Sequence, residues 1–338
     1  FQVDYTHYLT DYTCFKNVSC LSLMYLPNEI DFHLFFHLTY LSLNCFNFRH
    51  SIFDPSPFNK LRCLSLGCAK IVNCHFPTSL KDAEFVHCEF DDVSIVSHVQ
   101  VLTFLECFGV GFKNINSLSS VRKLIFTFIT ELKDVSALGG LHELSIIACE
   151  KVKNISKLGR VHRLKVSDCG VTSLKGLGQG NSDVYLSRLQ KTSDFSAVKS
   201  VYKVYLDKCD TLVDGRDLAD VQHLTISRCN AFEDTSALSK VKSLSLVDCP
   251  KIAKLVGLEN VPHVNIELCN ELRDISCLGK QQSLIISDCR RLRQLMKEDQ
   301  TMGMYSEMFH DIPFVRLKFE EDSRCSSIII EPRLYRDL

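Results

Sequence analysis

The sequence predicts an α/β solenoid, with a parallel β-sheet on its concave face and turn or 3-10 segments on its convex face. From Val121 the chain repeats every 20 residues for nine consecutive repeats. Apolar residues recur at fixed positions within each repeat. One such repeat cannot bury an apolar face alone, so the repeats must stack to share a continuous core.

Positions four and six of every repeat are apolar. Position four holds Leu124, Leu144, Leu164, Val184, Val204, Leu224, Leu244, Val264 and Leu284, and position six holds Phe126, Ile146, Val166, Leu186, Leu206, Ile226, Leu246, Ile266 and Ile286. Two apolar residues that are two apart, between polar neighbours, indicate a short strand with one buried face.

Apolar residues near positions twelve, fifteen and eighteen recur every three residues, which favours a turn or 3-10 segment over a long helix. Aspartates precede this segment at Asp134, Asp194, Asp214, Asp234 and Asp274. A carboxylate placed there can accept a hydrogen bond from the first free backbone N–H. We therefore interpret these residues as caps, although solvated loop aspartates remain the alternative.

Cysteine occupies position nine in seven of the nine repeats, and the chain has 17 cysteines in total. A large chain with its own apolar core and an odd cysteine count does not need a disulfide framework. We expect reduced, buried thiols and a cytoplasmic location, with the nucleus as an alternative. A soft-metal or redox role for the cysteine column is the less favoured interpretation, because buried cysteines usually behave as small hydrophobes.

The repeat V-x-x-L-x-L-x-x-C-x-x-L-x-D-h-S-x-L-x-x resembles the leucine-rich-repeat family, whose pattern is L-x-x-L-x-L-x-x-N/C-x-L. The match extends over nine repeats and looks like a short, cysteine-containing subtype. Asparagine, the commoner ninth residue of the family, is absent from that position.

Three parts of the chain differ in regularity. Residues 1–120 carry degenerate repeats, residues 121–295 carry the regular ones, and residues 296–338 are expected to form a C-terminal cap. The predicted strands of the first part contain Leu21-Leu23, Leu41-Leu43, Leu64-Leu66, Ala83-Phe85 and Leu102-Phe104. Within the cap we expect a helix or helical turn over 296–310 and two strands, Phe314-Val315-Leu317-Phe319 and Ile328-Ile329-Ile330. Because the chain begins at Phe1, we expect its natural start to lie upstream.

Several functional classes lack support in the sequence. No phosphate-binding loop, dinucleotide fingerprint, zinc-protease motif or nucleophile elbow is present, so we predict no catalytic residue, no cofactor and no metal. A net charge of −1 gives no global attraction to nucleic acids or anionic membranes, and we expect neither as a partner. No apolar stretch has the ~18 residues of a membrane helix.

The solvent-facing positions of the strands predict a protein-binding surface. Position three alternates in charge from Lys123 to Lys203, while positions five and eight bring tyrosine together with lysine and arginine. The candidate protein-binding residues are Arg163, Lys165, Tyr185, Arg188, Lys203, Tyr205, Lys208, His223 and Arg228. Aromatic and arginine side chains on a rigid sheet are typical of binding hot spots, but a solvated charge ladder with surface-stabilising tyrosines is the alternative.

The sequence therefore favours a monomeric, non-catalytic scaffold that binds an acidic or mixed-charge protein partner on its concave face. The alternative is the substrate-recognition part of an F-box type ubiquitin-ligase adaptor, because Leu26-Pro27-Asn28-Glu29-Ile30 resembles the opening of an F-box. No three-helix pattern comes after that segment.

Overall fold

The computed structural model describes residues 2–3, 13–24, 32–44, 53–72, 74–298, 312, 315–321 and 324–330. The chain divides into two compact units, an N-terminal unit Phe1–Gly170 and a C-terminal unit Val171–Leu338. These limits differ from the sequence divisions at residues 120 and 295, which rest on repeat regularity and stay predictions.

Short parallel strands form the main sheet of the N-terminal unit. The strands of this unit are β1 (Gln2–Val3), β2 (Cys20–Met24), β3 (Tyr40–Asn44), β4 (Cys63–Gly67), β5 (Lys70–Ile71), β6 (Asp82–Val86), β7 (Glu89–Phe90), β8 (Val101–Leu105), β9 (Lys123–Thr127), β10 (Glu143–Ile147) and β11 (Arg163–Ser167). They pair in the order β1-β2-β3-β4-β6-β8-β9-β10-β11, while β5 and β7 form a separate two-stranded sheet.

The C-terminal unit continues the same repeat and adds a final hairpin. Its strands are β12 (Asp183–Ser187), β13 (Lys203–Asp207), β14 (His223–Ser227), β15 (Ser243–Val247), β16 (His263–Glu267), β17 (Ser283–Ser287), β18 (Val315–Glu321) and β19 (Arg324–Ile330). All neighbouring pairs from β12 to β18 are parallel, and β19 runs antiparallel to β18. The predicted open parallel sheet is confirmed.

The apolar positions of the repeat build the core. All eighteen side chains at positions four and six of the regular repeats are at most 2% exposed. The strands pair with a shift of 20 residues, as in Leu144 with Leu164, so each apolar side chain lies beside its counterpart in the next repeat. This stacking buries an apolar row that no single repeat could bury.

The degenerate N-terminal repeats also form the five predicted strands, with larger core residues. Phe85, Phe104 and Phe126 stack at position six, with ring centroids 5.6 Å apart at each step. Phe90 and Phe112 meet the middle ring edge-on. The aromatic side chains therefore fill the core of this part of the sheet, although the repeat between Phe85 and Phe104 has 19 residues and the next, to Phe126, has 22.

Short 3-10 segments lie on the return side of many repeats, as the three-residue spacing predicts. They are Thr13–Phe15, Phe32–Phe35, Val93–Val96, Val110–Lys113, Asn116–Ser120, Ser136–Leu138 and Leu158–Arg160 in the N-terminal unit, and Ser196–Val198, Arg216–Leu218 and Ser236–Leu238 in the C-terminal unit. All five predicted aspartate caps accept the N–H two residues ahead. Asp134, for example, accepts the Ser136 N–H at 2.8 Å.

The C-terminal helix begins earlier than predicted. Helix α1 spans Arg290–Glu298, whereas the sequence indicated a helix over 296–310; residues 299–311 lie outside the described part of the chain. Leu292 and Leu295 sit three residues apart, a spacing that fits both a 3-10 return segment and an α-helix. The two strands expected near Val315 and Ile329 are present as β18 and β19.

Candidate protein-binding site

Two tyrosines form a flat aromatic platform on the solvent face of β12 and β13. The register of these strands places Tyr185 directly beside Tyr205, and their rings stack with centroids 4.4 Å apart and planes at 8°. Burial raises the pKa of Tyr185, and its neighbours Tyr205 and Asp207 raise it further, so the phenol is neutral at physiological pH. The stack follows from the 20-residue register that pairs these two strands.

A buried carboxylate fixes an arginine next to this platform. Asp207, at position seven of β13, is 4% exposed. Its Oδ1 accepts the Arg228 Nε–H at 2.8 Å and lies 2.7 Å from Arg228 Nη2, while its Oδ2 accepts the Ser187 hydroxyl at 2.9 Å. The Arg228 side chain remains 47% exposed. The network thus holds a guanidinium in place without removing it from solvent.

The residues at position eight share a left-handed backbone. Arg188, Lys208 and Arg228 have φ of 53°, 52° and 51°. This conformation turns each N–H toward the next repeat, where it donates to a position-seven carbonyl; the Lys208 N–H, for example, meets the Ser227 oxygen at 2.9 Å. Because the three backbones are alike, their side chains leave the sheet in the same direction.

These side chains line a surface recess of about 640 Å³, called the basic recess below. Its lining consists of Arg188, Gln190, Lys208, Asp210, Arg228, Asn230 and Asp248. The structure therefore brings three of the predicted binding residues together in one place, beside the tyrosine platform.

Two further predicted residues lie along the start of the same strands. Lys203 and His223 are register partners at position three of β13 and β14. The His223 ring lies 4.7 Å from that of Tyr202, which is 51% exposed. Tyr202 extends the aromatic surface toward this edge of the C-terminal unit.

The remaining predicted residues, Arg163 and Lys165, lie on β11 of the N-terminal unit. Arg163 Nη1 is 3.1 Å from Glu143 Oε1, and Lys123 Nζ is 3.5 Å from Glu143 Oε2. Burial alone would raise the pKa of Glu143, but the two cations hold it below its usual value. The alternating charges of these three residues at position three thus form ion pairs between adjacent strands.

Asp207 and Tyr202 escaped the sequence analysis. The signal for Asp207 was present, because it is the one acidic residue between the serines Ser187 and Ser227 at position seven of adjacent repeats. Tyr202 stands at position two, where charged and polar residues are common and no apolar pattern marks it.

The position-nine cysteines face the core. Cys149 and Cys289 are fully buried, and burial raises the pKa of each thiol to about 12. In most repeats the thiol donates to the position-six carbonyl of the preceding repeat, as from Cys107 to Phe85 at 3.2 Å. All fourteen cysteines assessed in the described residues are free thiols. In the same residues, no group of three or more potential ligands is arranged to hold a metal ion.

Two other sequence features add little to the site. The F-box-like segment Leu26–Ile30 falls outside the described residues. Within the described part of the chain, no helix has the length and apolar character needed to cross a membrane.

Comparison with known proteins identifies the fold through solved structures. No protein-family model and no curated protein matches the chain. The functional domain of InlJ from Listeria monocytogenes, described as including a cysteine ladder, is 15% identical with a TM-score of 0.52, and the match covers 82% of this chain and 64% of that one. A leucine-rich-repeat protein of Leptospira interrogans is 16% identical with a TM-score of 0.52, covering 91% of this chain and 85% of that one. At these identities the likeness shows the leucine-rich-repeat fold.

Proposed function

We propose that the chain is a non-catalytic scaffold that binds a protein partner on the solvent face of β12, β13 and β14. The observation that carries this proposal is the tyrosine platform with the anchored Arg228 beside it. Tyrosine and arginine are enriched at binding hot spots. Tyrosine presents a large contact area with only two rotatable side-chain bonds, and arginine offers several N–H donors on a planar group.

Rigidity of the surface supports the same proposal. Tyr185 and Tyr205 stand on paired strands whose inward side chains are buried, and Asp207 holds Arg228 through two nitrogen atoms. Side chains that are already ordered lose less conformational entropy when a partner binds. Since aromatic stacking within a sheet also stabilises the sheet itself, binding and stability must be measured separately.

The cellular setting belongs to this proposal as well. We propose that the chain acts as a monomer in the cytoplasm, with the nucleus as the alternative. The free thiols of the described cysteines support a reducing compartment, where disulfides are rare.

The test compares two triple variants by quantitative affinity capture from cells of the source organism. The site variant is Tyr185→Ala, Tyr205→Ala and Lys203→Glu. The matched control is Val213→Ala, Val256→Ala and Lys251→Glu, which makes the same numbers of truncations and charge reversals at exposed positions away from the platform. Circular dichroism and thermal melting establish that both variants fold.

We expect one or more partners to be retained by the wild type and the control but lost at least tenfold from the site variant, because truncating a hot-spot residue costs about 2 kcal/mol or more. Identical partner lists for the two folded variants would refute the proposed site. Direct binding between the purified chain and the recovered partner then replaces the capture assay as the decisive measurement.

A further inference from the structure

Three of the residues that line the basic recess are cations from the same position of successive repeats. Arg188, Lys208 and Arg228 occupy position eight of three successive repeats, whereas the next position-eight residue is Asp248. Neighbouring parallel strands are about 4.8 Å apart, so the three cations form a row about 10 Å long. The sign of the charge changes at the end of this row.

The acidic residues around the row already have structural roles or lie at its end. Asp207 is engaged by Arg228 and Ser187, and the Asp210 Oδ1 accepts the backbone N–H of Asn230 at 3.0 Å. By contrast, Lys208 forms no ion pair among the residues that the structure describes. The ammonium of Lys208 and the outer N–H groups of Arg228 therefore face the recess with capacity to bind an anion.

Neutral amides also line the recess. Gln190 and Asn230 line the recess at position ten, on either side of Asp210. A side-chain amide carries both a donor and an acceptor, which is the complement of a peptide group in an extended backbone. The recess thus combines a row of cations with amide groups suited to a polypeptide main chain.

We propose that the basic recess binds an extended acidic segment of a protein partner, running across the strands from repeat to repeat. Alternate side chains of an extended peptide are about 7 Å apart, so two carboxylates of such a segment fit within the row of cations. Lys208 and Arg228 bind these carboxylates, while Gln190 and Asn230 bond the peptide backbone. This inference rests on the proposed function, since it names the chemistry of the partner at the same surface.

The experiment uses the full chain and a defined probe, a fluorescein-labelled hexaglutamate peptide, with hexaglutamine as the neutral reference. Fluorescence anisotropy gives the affinity at low and at physiological ionic strength. The recess variant is Arg188→Ala with Lys208→Ala, and the control is Lys242→Ala with Lys251→Ala, which removes the same charge from exposed positions outside the recess lining. Arg228 is kept, so that Asp207 retains its partner.

We expect hexaglutamate to bind more tightly than hexaglutamine, and the recess variant to lose about fivefold or more of that affinity while the control loses less than twofold. Zero-length carbodiimide crosslinking, which joins a carboxylate only to an amine in contact, should link the probe mainly to Lys208. Mass spectrometry of the digested product identifies the linked lysine.

Equal affinity for the two peptides, equal loss in the two variants, or crosslinks spread over the surface lysines would overturn the inference. These results are separable from failure of the proposed function. Suppose that a partner loses affinity when Tyr185 and Tyr205 are replaced but not when Arg188→Ala and Lys208→Ala are made. The proposed scaffold function would then stand, and only the proposal that the partner binds through an acidic segment would be refuted.

Discussion

At the scale of single residues, the most regular feature of the chain is the left-handed backbone at position eight. In the described residues every non-glycine position with positive φ belongs to this set, from Cys68 to Asp288. None of them is asparagine, the residue that tolerates this region best after glycine. The conformation persists because each N–H gains a carbonyl of the next repeat, as Ala148 does with Ser167 at 2.9 Å.

Replacing Ala148 by glycine should therefore stabilise the chain. Ala148 has φ of 52°, where an L-residue with a Cβ is strained by about 1 kcal/mol, and glycine removes that strain. After the greater entropy of unfolded glycine is subtracted, we expect a net gain of a few tenths of a kcal/mol, seen as a higher midpoint in urea unfolding.

Ala137→Gly is the matched control, because Ala137 lies in the 3-10 segment Ser136–Leu138 of the same unit. There the glycine adds entropy to the unfolded chain and relieves no strain, so a loss of roughly 0.5–1 kcal/mol is expected. If both glycines lowered the midpoint equally, the position-eight backbone would not be strained.

This left-handed turn also explains why part of the site escaped the sequence analysis. The stack of Tyr185 on Tyr205 follows from the 20-residue register alone, so counting residues predicts it. The link from Arg228 to Asp207 depends on where position eight sends its side chain, and no glycine or asparagine marks that turn. Charge at one position is visible in a sequence, but the direction of the side chain that carries it is not.

At the scale of the repeat elements, strand and return segment are predictable for different reasons. Strands were predicted from the alternation of buried and exposed residues, and this held even for the degenerate pair Ala83 and Phe85. The return segments were predicted from three-residue spacing, but that spacing could not separate a 3-10 turn from the start of helix α1 (Arg290–Glu298). The length of an element depends on the residues beyond its C-terminal end, and a three-residue pattern carries no such information.

The aspartate caps of the return segments should make the stability of the fold depend on pH in the acidic range. The N–H and hydroxyl of Ser136 lower the pKa of Asp134, and those of Ser196 lower the pKa of Asp194. A carboxylate with a depressed folded-state pKa contributes stability that is present above its unfolded pKa, about 3.9, and is lost as the pH falls through the folded value. The thermal midpoint should therefore fall as the pH drops below about 4.

The double variant Asp134→Asn with Asp194→Asn tests this cause. An amide oxygen can accept the same N–H but does not titrate, as Asn154 shows by accepting the Ser156 N–H at 2.9 Å in the native chain. We expect a flatter dependence of the thermal midpoint on pH, with little change at pH 7. If the thermal midpoint of the variant fell with pH as steeply as that of the wild type, other carboxylates would be the cause of the pH dependence.

At the scale of the whole molecule, each repeat contacts only its neighbours in the array, so stability is a sum of repeats and the interfaces between adjacent ones. A cavity made in one unit should then loosen that unit first. Ile226→Ala in the C-terminal unit and Leu144→Ala in the N-terminal unit remove side chains that are 0% and 1% exposed. Each should cost about 2–5 kcal/mol.

Hydrogen exchange measured by mass spectrometry shows which strands each substitution destabilises. Ile226→Ala should speed exchange in β13, β14 and β15 with little effect on β8, β9 and β10, and Leu144→Ala should give the reverse, because opening spreads from a damaged repeat through its neighbours. Each variant serves as the control for the other. Equal acceleration of exchange in all these strands in both variants would mean that the chain unfolds as one cooperative body. The binding surface on β12 to β14 would then not unfold separately from the rest of the sheet.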